Sequence, residues 1–231
     1  MRPSPKNSLV IDLSWTIGET TPVFPGDPKI ATAVHSTVDK EGHAIKTWSS
    51  GMHVGTHLDA PAHFLGQGGD VAGIDLSRCV GDAVVLNVPA VDGVIATAEL
   101  RRAWKQSAKK DKILLIHTGW SKHRFEPAYF ADFPGFDRDF GAFVEETGLV
   151  LLGVDMPSVR FADGDYAGFH RMLLSKNIVI VENLIRLDEL PCRVWFSAFP
   201  LKLEGFDGSM VRAVAIMKAS SVPGAVDNAL N

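Results

Sequence analysis

The chain has 231 residues, of which 46% are hydrophobic and 9% aromatic, and its formal net charge is −4. These values are ordinary for a packed soluble core. Acidic and basic residues are interspersed without a basic stripe, which argues against a nucleic-acid partner. No break in composition favours two domains, so we expect one domain over residues 1–231.

The sequence shows little sign of a targeting segment or of a redox motif. Residues 1–8 are polar and lack the apolar core of a signal peptide. No apolar run approaches the ~20 residues that span a bilayer. Cys79 and Cys192 form no CxxC pair, and we interpret both as reduced thiols in the core. We therefore expect a soluble, cytoplasmic protein with no membrane partner.

Strand patterns dominate the first half of the chain. Apolar or alternating runs predict strands over residues 9–13, 30–38, 45–49, 83–88 and 113–116, and a helix over 97–104 with Thr97 as its N-cap. Prolines 22, 25 and 28 hold Phe24 as either a core plug or a pocket wall, and base rates favour the core plug. His35 and His43 lack neighbours at ligand spacing, so we interpret them as surface or structural residues.

The second half adds helices and an extended loop. The patterns predict helices over residues 140–146 and 166–176, and strands over 149–154, 178–181, 193–196, 199–203 and 211–217. They also predict a solvated turn at 109–112, a turn at 205–209 and a frayed tail at 219–231. Residues 121–140 are predicted to form a long ordered loop, of the kind that serves as a lid or binding loop. The many strands and few helices predict an α+β fold with extensive mixed β-sheet.

The most informative stretch is residues 53–64. It contains three histidines and one aspartate within eleven positions, namely His53, His57, Asp59 and His63. Imidazole and carboxylate are ligands of zinc, manganese and iron. On a flat strand His53 and His57 would stand roughly 13 Å apart, too far to share an ion, and Gly55 and Pro61 disfavour a helix. We therefore predict a strand that enters at His53 and bends at Gly55, rather than a polar loop with incidental histidines.

A second candidate pair lies more than a hundred residues later. Glu182 ends a strand that is apolar on both faces, so its carboxylate needs an ion pair, hydrogen bonds or a metal. His170 lies on the preceding predicted helix, and a strand that runs back along that helix could bring the two side chains to the same end. From the residues alone, an arginine or backbone amides remain equal alternatives as partners of Glu182.

The run from His53 to Phe64 resembles the signature of the cyclase family of metal-dependent hydrolases, which includes kynurenine formamidase (arylformamidase) and isatin hydrolase. Similar runs occur at residues 22–27, 118–120, 157–158, 200–202 and 211–213, and the spacing from His170 to Glu182 also agrees. The resemblance implies a swivelling β/β/α architecture and a homodimer or homotetramer.

The resemblance also implies roles for individual residues. His53, His57 and Asp59 would hold one divalent ion, Zn²⁺ or Mn²⁺, and Asp59 would bridge to a second ion held with His170 and Glu182. His63 would act in proton transfer. Glutamate at position 182 matters because relatives with one metal, such as isatin hydrolase, can carry glutamine there.

Two departures from the family pattern affect the choice of substrate. Phe24 stands where the formamidase branch has a tryptophan that contacts substrate, and Met156 replaces the usual threonine before Pro157. Neither residue is a candidate ligand, so the predicted hydrolytic chemistry is retained. We interpret Phe24, Phe64 and Trp120 as candidates for an apolar wall that binds an aryl group.

The resemblance thus implies a hydrolase that cleaves a C–N bond of a small aromatic amide, of the kind found in tryptophan catabolism. A site of this type lowers the pKa of bound water from ~15.7 to about 7. One alternative is a lactam or lactone hydrolase that uses the same site. Another is a non-catalytic, metal-stabilised binding protein, which would not require His63. No G-x-S-x-G motif is present, which disfavours a serine hydrolase.

Overall fold

The computed structural model describes residues 8–107 and 111–218. Its strands are β1 (Ser8–Asp12), β2 (Ala31–Ser36), β3 (Ile45–Ser49), β4 (His57–Asp59), β5 (Val80–Asn87), β6 (Val94–Ile95), β7 (Ile113–His117), β8 (Gly135–Phe136), β9 (Leu151–Val154), β10 (Val179–Glu182), β11 (Arg193–Ser197), β12 (Gly208–Met210) and β13 (Val214–Lys218). Its α-helices are α1 (Val38–Glu41), α2 (Thr97–Ser107), α3 (Phe140–Thr147) and α4 (Tyr166–Leu174).

One mixed sheet organises the described part of the chain. Its nine strands follow the order β1-β13-β11-β5-β7-β9-β10-β4-β12. The central strands β5, β7, β9 and β10 are parallel, and the flanking pairs are antiparallel. Because β4 runs antiparallel to β10, His57 pairs directly with Glu182 in the ladder. The topology therefore places the two candidate ligand segments side by side.

The central strands are buried on both faces, as their apolar runs predict. Leu114 and Ile116 pack on one face, together with aromatic residues of α3 and α4 such as Phe140 and Phe169. Side chains alternate along a strand, so Leu115 points to the opposite face, into a core built mainly from other strands of the sheet. Among the described residues, α2, α3 and α4 thus pack against one face of the sheet. No helix among the described residues is long and apolar enough to cross a membrane.

Several element predictions need correction. Residues 199–203 form no strand and make a single bridge, between Pro200 and Val211, because proline has no N–H to donate to a ladder. Residues 208–210, placed partly in a predicted turn, form β12 instead. Helix α2 begins at Thr97 rather than after it, since Asp137 accepts hydrogen bonds from the Thr97 N–H at 2.8 Å and from its hydroxyl at 2.5 Å.

Two further surface segments also differ from their predicted structure. Residues 121–140 include the 3₁₀ turn Pro127–Phe130 and the strand β8, so this segment is more regular than a loop. Within the predicted turn at 109–112, Asp111 is buried and paired with Arg193 rather than solvated, while residues 109–110 lie outside the described range. The tail at 219–231 also lies outside it.

In the described part of the chain, the other four histidines and both cysteines belong to no group of side chains that could hold a metal ion. Strands β2 and β3 form a separate ribbon, and His35 and His43 are exposed on it and on its connection, as predicted. Both cysteines are free. Cys79 is buried, but Cys192 is exposed because it precedes β11 instead of lying within it. The prediction of a core position for Cys192 is therefore wrong.

Candidate metal centre

The segment before β4 brings His53 back toward the strand. The irregular backbone lies at residues 50–56 and β4 begins at His57, so the predicted strand at His53 is wrong, although the bend at Gly55 is present. Gly55 has a φ of +57°, a conformation that residues with a Cβ adopt only under strain. A Cβ there would also lie 3.0 Å from the Ile17 side chain. As a result, the ring centroids of His53 and His57 are 5.1 Å apart.

This ligand loop, residues 53–63, forms the first half of the site. His53 Nδ1 lies 3.0 Å from Asp59 Oδ1, and His57 Nε2 lies 3.6 Å from the same oxygen. Two atoms that each bond one zinc ion at ~2.0–2.2 Å stand roughly 3–3.6 Å apart in tetrahedral geometry. The three donor atoms therefore have the separation of ligands to a single ion.

The second half is a helix–strand pair, α4 and β10. Asp165 caps α4 by accepting a hydrogen bond from the Gly168 N–H at 2.8 Å. One turn later, His170 Nε2 lies 3.5 Å from Glu182 Oε1 and 3.6 Å from Asp59 Oδ2. The strand thus returns along the helix as predicted, and it brings both side chains to Asp59.

The partners of Glu182 decide between the alternatives that the sequence left open. Glu182 Oε2 lies 3.3 Å from His57 Nε2, and Ser158 donates a hydrogen bond of 3.1 Å to Oε1. Within the described residues, no arginine pairs with this carboxylate. The arginine alternative is therefore wrong, and Glu182 belongs to the histidine–carboxylate cluster.

The donor atoms of this cluster fit divalent ions. Nδ1 of His57 lies 2.8 Å from the Gly55 carbonyl, and Nδ1 of His170 lies 2.8 Å from the Tyr166 carbonyl. A carbonyl only accepts, so each Nδ1 carries a proton and each Nε2 faces carboxylates, where the deprotonated nitrogen has a lone pair for a metal ion. In the described chain, His57 Nε2 and Asp59 Oδ2 are buried without hydrogen-bond partners. Acceptors that face acceptors in a buried site are satisfied by a cation.

The electrostatics of the cluster also favour a cation. Burial alone would raise the pKa values of Asp59 and Glu182, but the neighbouring histidines hold both below their ordinary values. Burial would lower the pKa values of His53 and His170, but their carboxylate partners raise both, that of His53 to about 10. Without a metal, protons on these rings balance the two buried carboxylates, and a divalent ion would compete for the same positions.

Asp207 is a site residue that the sequence reasoning missed. Its Oδ2 lies 3.0 Å from His53 Nε2 and 3.3 Å from His63 Nδ1. The hydrogen bond from His53 holds the pKa of Asp207 well below its ordinary value. In the sequence, Asp207 is one aspartate in a glycine-bearing turn, and its spacing from the histidines is not that of a metal ligand. The sole sequence feature that points to a functional role is its position shortly before the family-like run at 211–213.

His63 is held beside the cluster by the 3₁₀ turn Pro61–His63. Its ring stacks on His53 with centroids 3.9 Å apart. The glycine-rich loop at residues 66–69 closes against this turn, because Ala62 N–H donates to the Gly69 carbonyl and a Cβ on Gly68 would lie 2.5 Å from the Pro61 backbone. Burial lowers the pKa of His63, which keeps the ring neutral at neutral pH and able to accept a proton.

A cavity of about 830 Å³ opens onto the cluster, with His63 and the aromatic candidates Phe24 and Phe64 in its wall. Phe24 is half-buried and packs edge-on against Phe130 and Tyr166, so it is a pocket wall rather than a core plug. Phe64 stacks on His170 at 4.2 Å.

Trp120 is absent from the wall of this cavity. Its indole N–H donates to the Tyr129 carbonyl at 3.0 Å, and its ring lies against His123. Trp120 packs against the core cluster instead, and we therefore correct its assignment to the aryl wall.

Comparisons with known proteins agree with this geometry. A family model described as "Putative cyclase" matches residues 11–160. Kynurenine formamidase from Bacillus mycoides is 31% identical over 210 residues, which cover 90% of this chain and 98% of the relative. The chain belongs to the cyclase family. The prediction of a hydrolase of this family is confirmed.

Solved structures of other proteins share the cyclase-family fold. Isatin hydrolase A from Ralstonia solanacearum superposes with a TM-score of 0.80 at 23% identity, covering 91% of this chain and 92% of that chain. A potential metal-dependent hydrolase with cyclase activity gives a TM-score of 0.73 at 23% identity, covering 90% and 98%. The predicted mixed-sheet architecture is thereby confirmed.

Proposed function

We propose that this cyclase-family protein hydrolyses the C–N bond of a small aromatic amide with two divalent ions, Zn²⁺ or Mn²⁺, held by the cluster. Asp59 is the observation that carries the proposal. Its Oδ1 faces His53 and His57, while its Oδ2 faces His170. Each oxygen of this carboxylate faces different histidines, so the group is suited to bridge two ions. Two-metal sites of this kind stabilise the reacting group of the substrate from both sides.

The relatives suggest which substrates to test first. Curated relatives are named kynurenine formamidase, and structural neighbours are named isatin hydrolase. We therefore propose N-formylkynurenine as the leading substrate. The aromatic wall that includes Phe24 and Phe64 would stack its aryl ring and exclude water from the cluster.

The ions would supply a nucleophilic water at neutral pH and polarise the carbonyl of the substrate. The chain's own contribution is proton transfer. Asp207 lies at Nδ1 of His63, so the proton of the neutral ring is held there and Nε2 is left as the basic nitrogen. His63 also lines the cavity. It would take up a proton during attack and deliver it to the leaving nitrogen.

Substitution of His63 tests this role. We expect His63→Ala to lower kcat on N-formylkynurenine by about 10²–10⁴-fold, the usual contribution of a positioned acid–base group. Metal content, measured by mass spectrometry, would stay at the parent value. The matched control is His35→Ala, because His35 is exposed on the β2–β3 ribbon. Full turnover by the His63 variant at full metal content would contradict the role.

A lactam or lactone hydrolase is the second candidate, and one observation favours it. The chain superposes on isatin hydrolases with TM-scores of 0.80 and 0.81. Parallel assays of the zinc-loaded and manganese-loaded protein on N-formylkynurenine, isatin and small lactones distinguish the candidates. A kcat/KM for isatin above that for N-formylkynurenine would replace the formamidase proposal with the lactam one.

We also propose that the protein acts in the cytoplasm as a homodimer or homotetramer. The free cysteines support a reducing compartment. The β2–β3 ribbon is exposed on both faces, including Val34 and Trp48, and a lone two-stranded ribbon is marginally stable. A second copy would cover it. Sedimentation velocity measures the assembly, and a monomer at micromolar concentration would contradict the proposal.

A further inference from the structure

Asn183, the residue after Glu182, has an unusual backbone conformation. Its φ is +59°, in the left-handed region that few residues other than glycine adopt. It is buried, with 3% of its surface exposed, and it lines the cavity. Strained backbone at a cavity beside functional groups justifies a hypothesis about function.

Hydrogen bonds fix this backbone from both sides. The Asn183 N–H donates to the Met156 carbonyl at 2.9 Å. Its own carbonyl accepts from the Thr56 hydroxyl at 2.7 Å, next to the ligand His57. The conformation is therefore held by the same segments that carry the cluster, and the side chain has a fixed starting point at the cavity wall.

The carboxamide is also oriented. Tyr129 donates its hydroxyl proton to Asn183 Oδ1 at 2.8 Å. Burial, together with the charges of Asp155 and Glu182, raises the pKa of Tyr129 well above its ordinary value, so the hydroxyl stays a donor. With Oδ1 engaged, the Nδ2 amino group has no protein partner among the described residues, and it belongs to a residue that lines the cavity.

We propose that Asn183 contacts the substrate and that its Nδ2 donates a hydrogen bond to the carbonyl oxygen of the scissile amide. This inference rests on the proposed function. Negative charge develops on that oxygen as the carbonyl carbon becomes tetrahedral, and a preoriented neutral donor stabilises it without reorganising. Tyr129 is a positioning residue that acts through Asn183.

The test is Asn183→Gly in the metal-loaded protein. Glycine adopts a φ of +59° without strain, so the variant keeps the turn and removes only the carboxamide. We expect kcat/KM on N-formylkynurenine to fall about 10²-fold, the loss typical of one oxyanion donor. Metal content would match the parent, while Tm would fall by a few degrees because the buried Tyr129 hydroxyl loses its acceptor.

Asn177 provides a matched control. It also has a left-handed φ, of +54°, but it is exposed and does not line the cavity. Asn177→Gly makes the same chemical change in the same backbone conformation, and kcat/KM should stay at the parent value. If both variants keep parent activity, Asn183 is only a turn residue and the inference is wrong.

Tyr129→Phe separates orientation from general packing. We expect a fall of about 3- to 10-fold in kcat/KM, the worth of one neutral hydrogen bond. In the Asn183→Gly background the same change should have no further effect, because the group that Tyr129 orients is gone. An equal loss in both backgrounds would show a packing role and would contradict the assignment of Tyr129 as a positioning residue.

Failure of the inference is distinguishable from failure of the proposed function. If the parent hydrolyses N-formylkynurenine and Asn183→Gly does so equally well, only the inference fails. If the parent hydrolyses nothing, calorimetric titration of N-formylkynurenine into zinc-loaded His63→Ala protein decides the matter. A tenfold loss of affinity on adding Asn183→Gly supports the contact, whereas equal affinity or no binding overturns it.

Discussion

The two halves of the candidate metal centre are built in opposite ways. The ligand loop presents its donors within a few residues, on backbone that depends on a left-handed glycine. The helix–strand pair presents one donor from each regular element, twelve residues apart, and reaches the loop through Asp59. In the first half, irregular backbone at residues 50–56 brings His53 back to the strand that carries His57 and Asp59, while the second half uses regular elements alone.

Asp59 belongs to both halves, so its removal should have the largest effect. We expect Asp59→Ala to lose both ions and about 10³-fold or more of kcat/KM, since metal ions contribute several kcal/mol of charge stabilisation. Ions per subunit are counted by mass spectrometry after desalting. Asp132→Ala, at an exposed aspartate, is the control. A variant that retained two ions would show that the halves are independent.

Glu182→Gln separates the halves. The amide keeps the shape and the contact with Ser158, but it removes the negative charge from the helix–strand pair. We expect the count to fall from two ions to one and kcat/KM to fall by about 10–100-fold, the range seen when support of a metal site is weakened. Loss of both ions, or of neither, would show that the two halves bind as one unit.

The same contrast explains what the sequence could predict. The ligand loop was conspicuous because His53, His57 and Asp59 are close together, yet its geometry depends on where the backbone becomes irregular, and the strand begins only after Gly55. For the helix–strand pair, periodicity predicted the geometry of His170 and Glu182, but buried carboxylates have several kinds of partner. Only the family resemblance selected a metal.

The sequence pattern could not predict which residues distant loops bring to the site. Asp207 reaches His53 and His63 across more than a hundred residues, through a turn whose sequence shows no metal spacing. Trp120 was assigned to the aryl wall as an aromatic residue, but its indole N–H donates to the Tyr129 carbonyl and it does not line the cavity. Burial of the central strands follows from their continuous apolar runs, whereas the direction of a loop side chain depends on contacts that only the folded chain defines.

Metal removal should reverse the pH dependence of stability. In the metal-free protein the pKa of His53 is raised to about 10, and the pKa of His170 is also raised. The stabilisation of the folded state by these protonated rings is therefore complete below the unfolded pKa near ~6.5 and is lost as pH rises toward 10. The lowered pKa values of Asp59 and Glu182 give stabilisation that is present above about 4 and lost in more acidic solution.

We therefore expect the metal-free Tm to fall by several degrees between pH 6.5 and 9, since about 1 kcal/mol shifts Tm by ~2–4 °C at this chain length. The metal-loaded Tm should rise over the same range, because ions bind deprotonated imidazole. Scanning calorimetry with and without chelator measures both slopes. Slopes of the same sign would mean that the rings do not exchange protons for metal.

The smallest expected effect concerns the glycine on which the ligand loop depends. Gly55→Ala places a Cβ in left-handed backbone, which costs roughly 1–2 kcal/mol, and brings it within 3.0 Å of Ile17. Part of that strain is relieved if the backbone rotates and moves His53 away from Asp59. The affinity of the loop for its ion should then fall by about 5–30-fold, the equivalent of that energy.

The helix–strand pair contains no part of this strain, so its ion should bind as in the parent. Calorimetric titration with zinc resolves the two affinities, and Gly66→Ala is the control because a Cβ there meets nothing within 4 Å. A selective loss at the first ion would show that irregular backbone positions one half of the site. Equal losses at both ions would mean that Asp59 transmits the strain to the second ion. The two halves would then differ in how their backbone is built but not in how they bind metal.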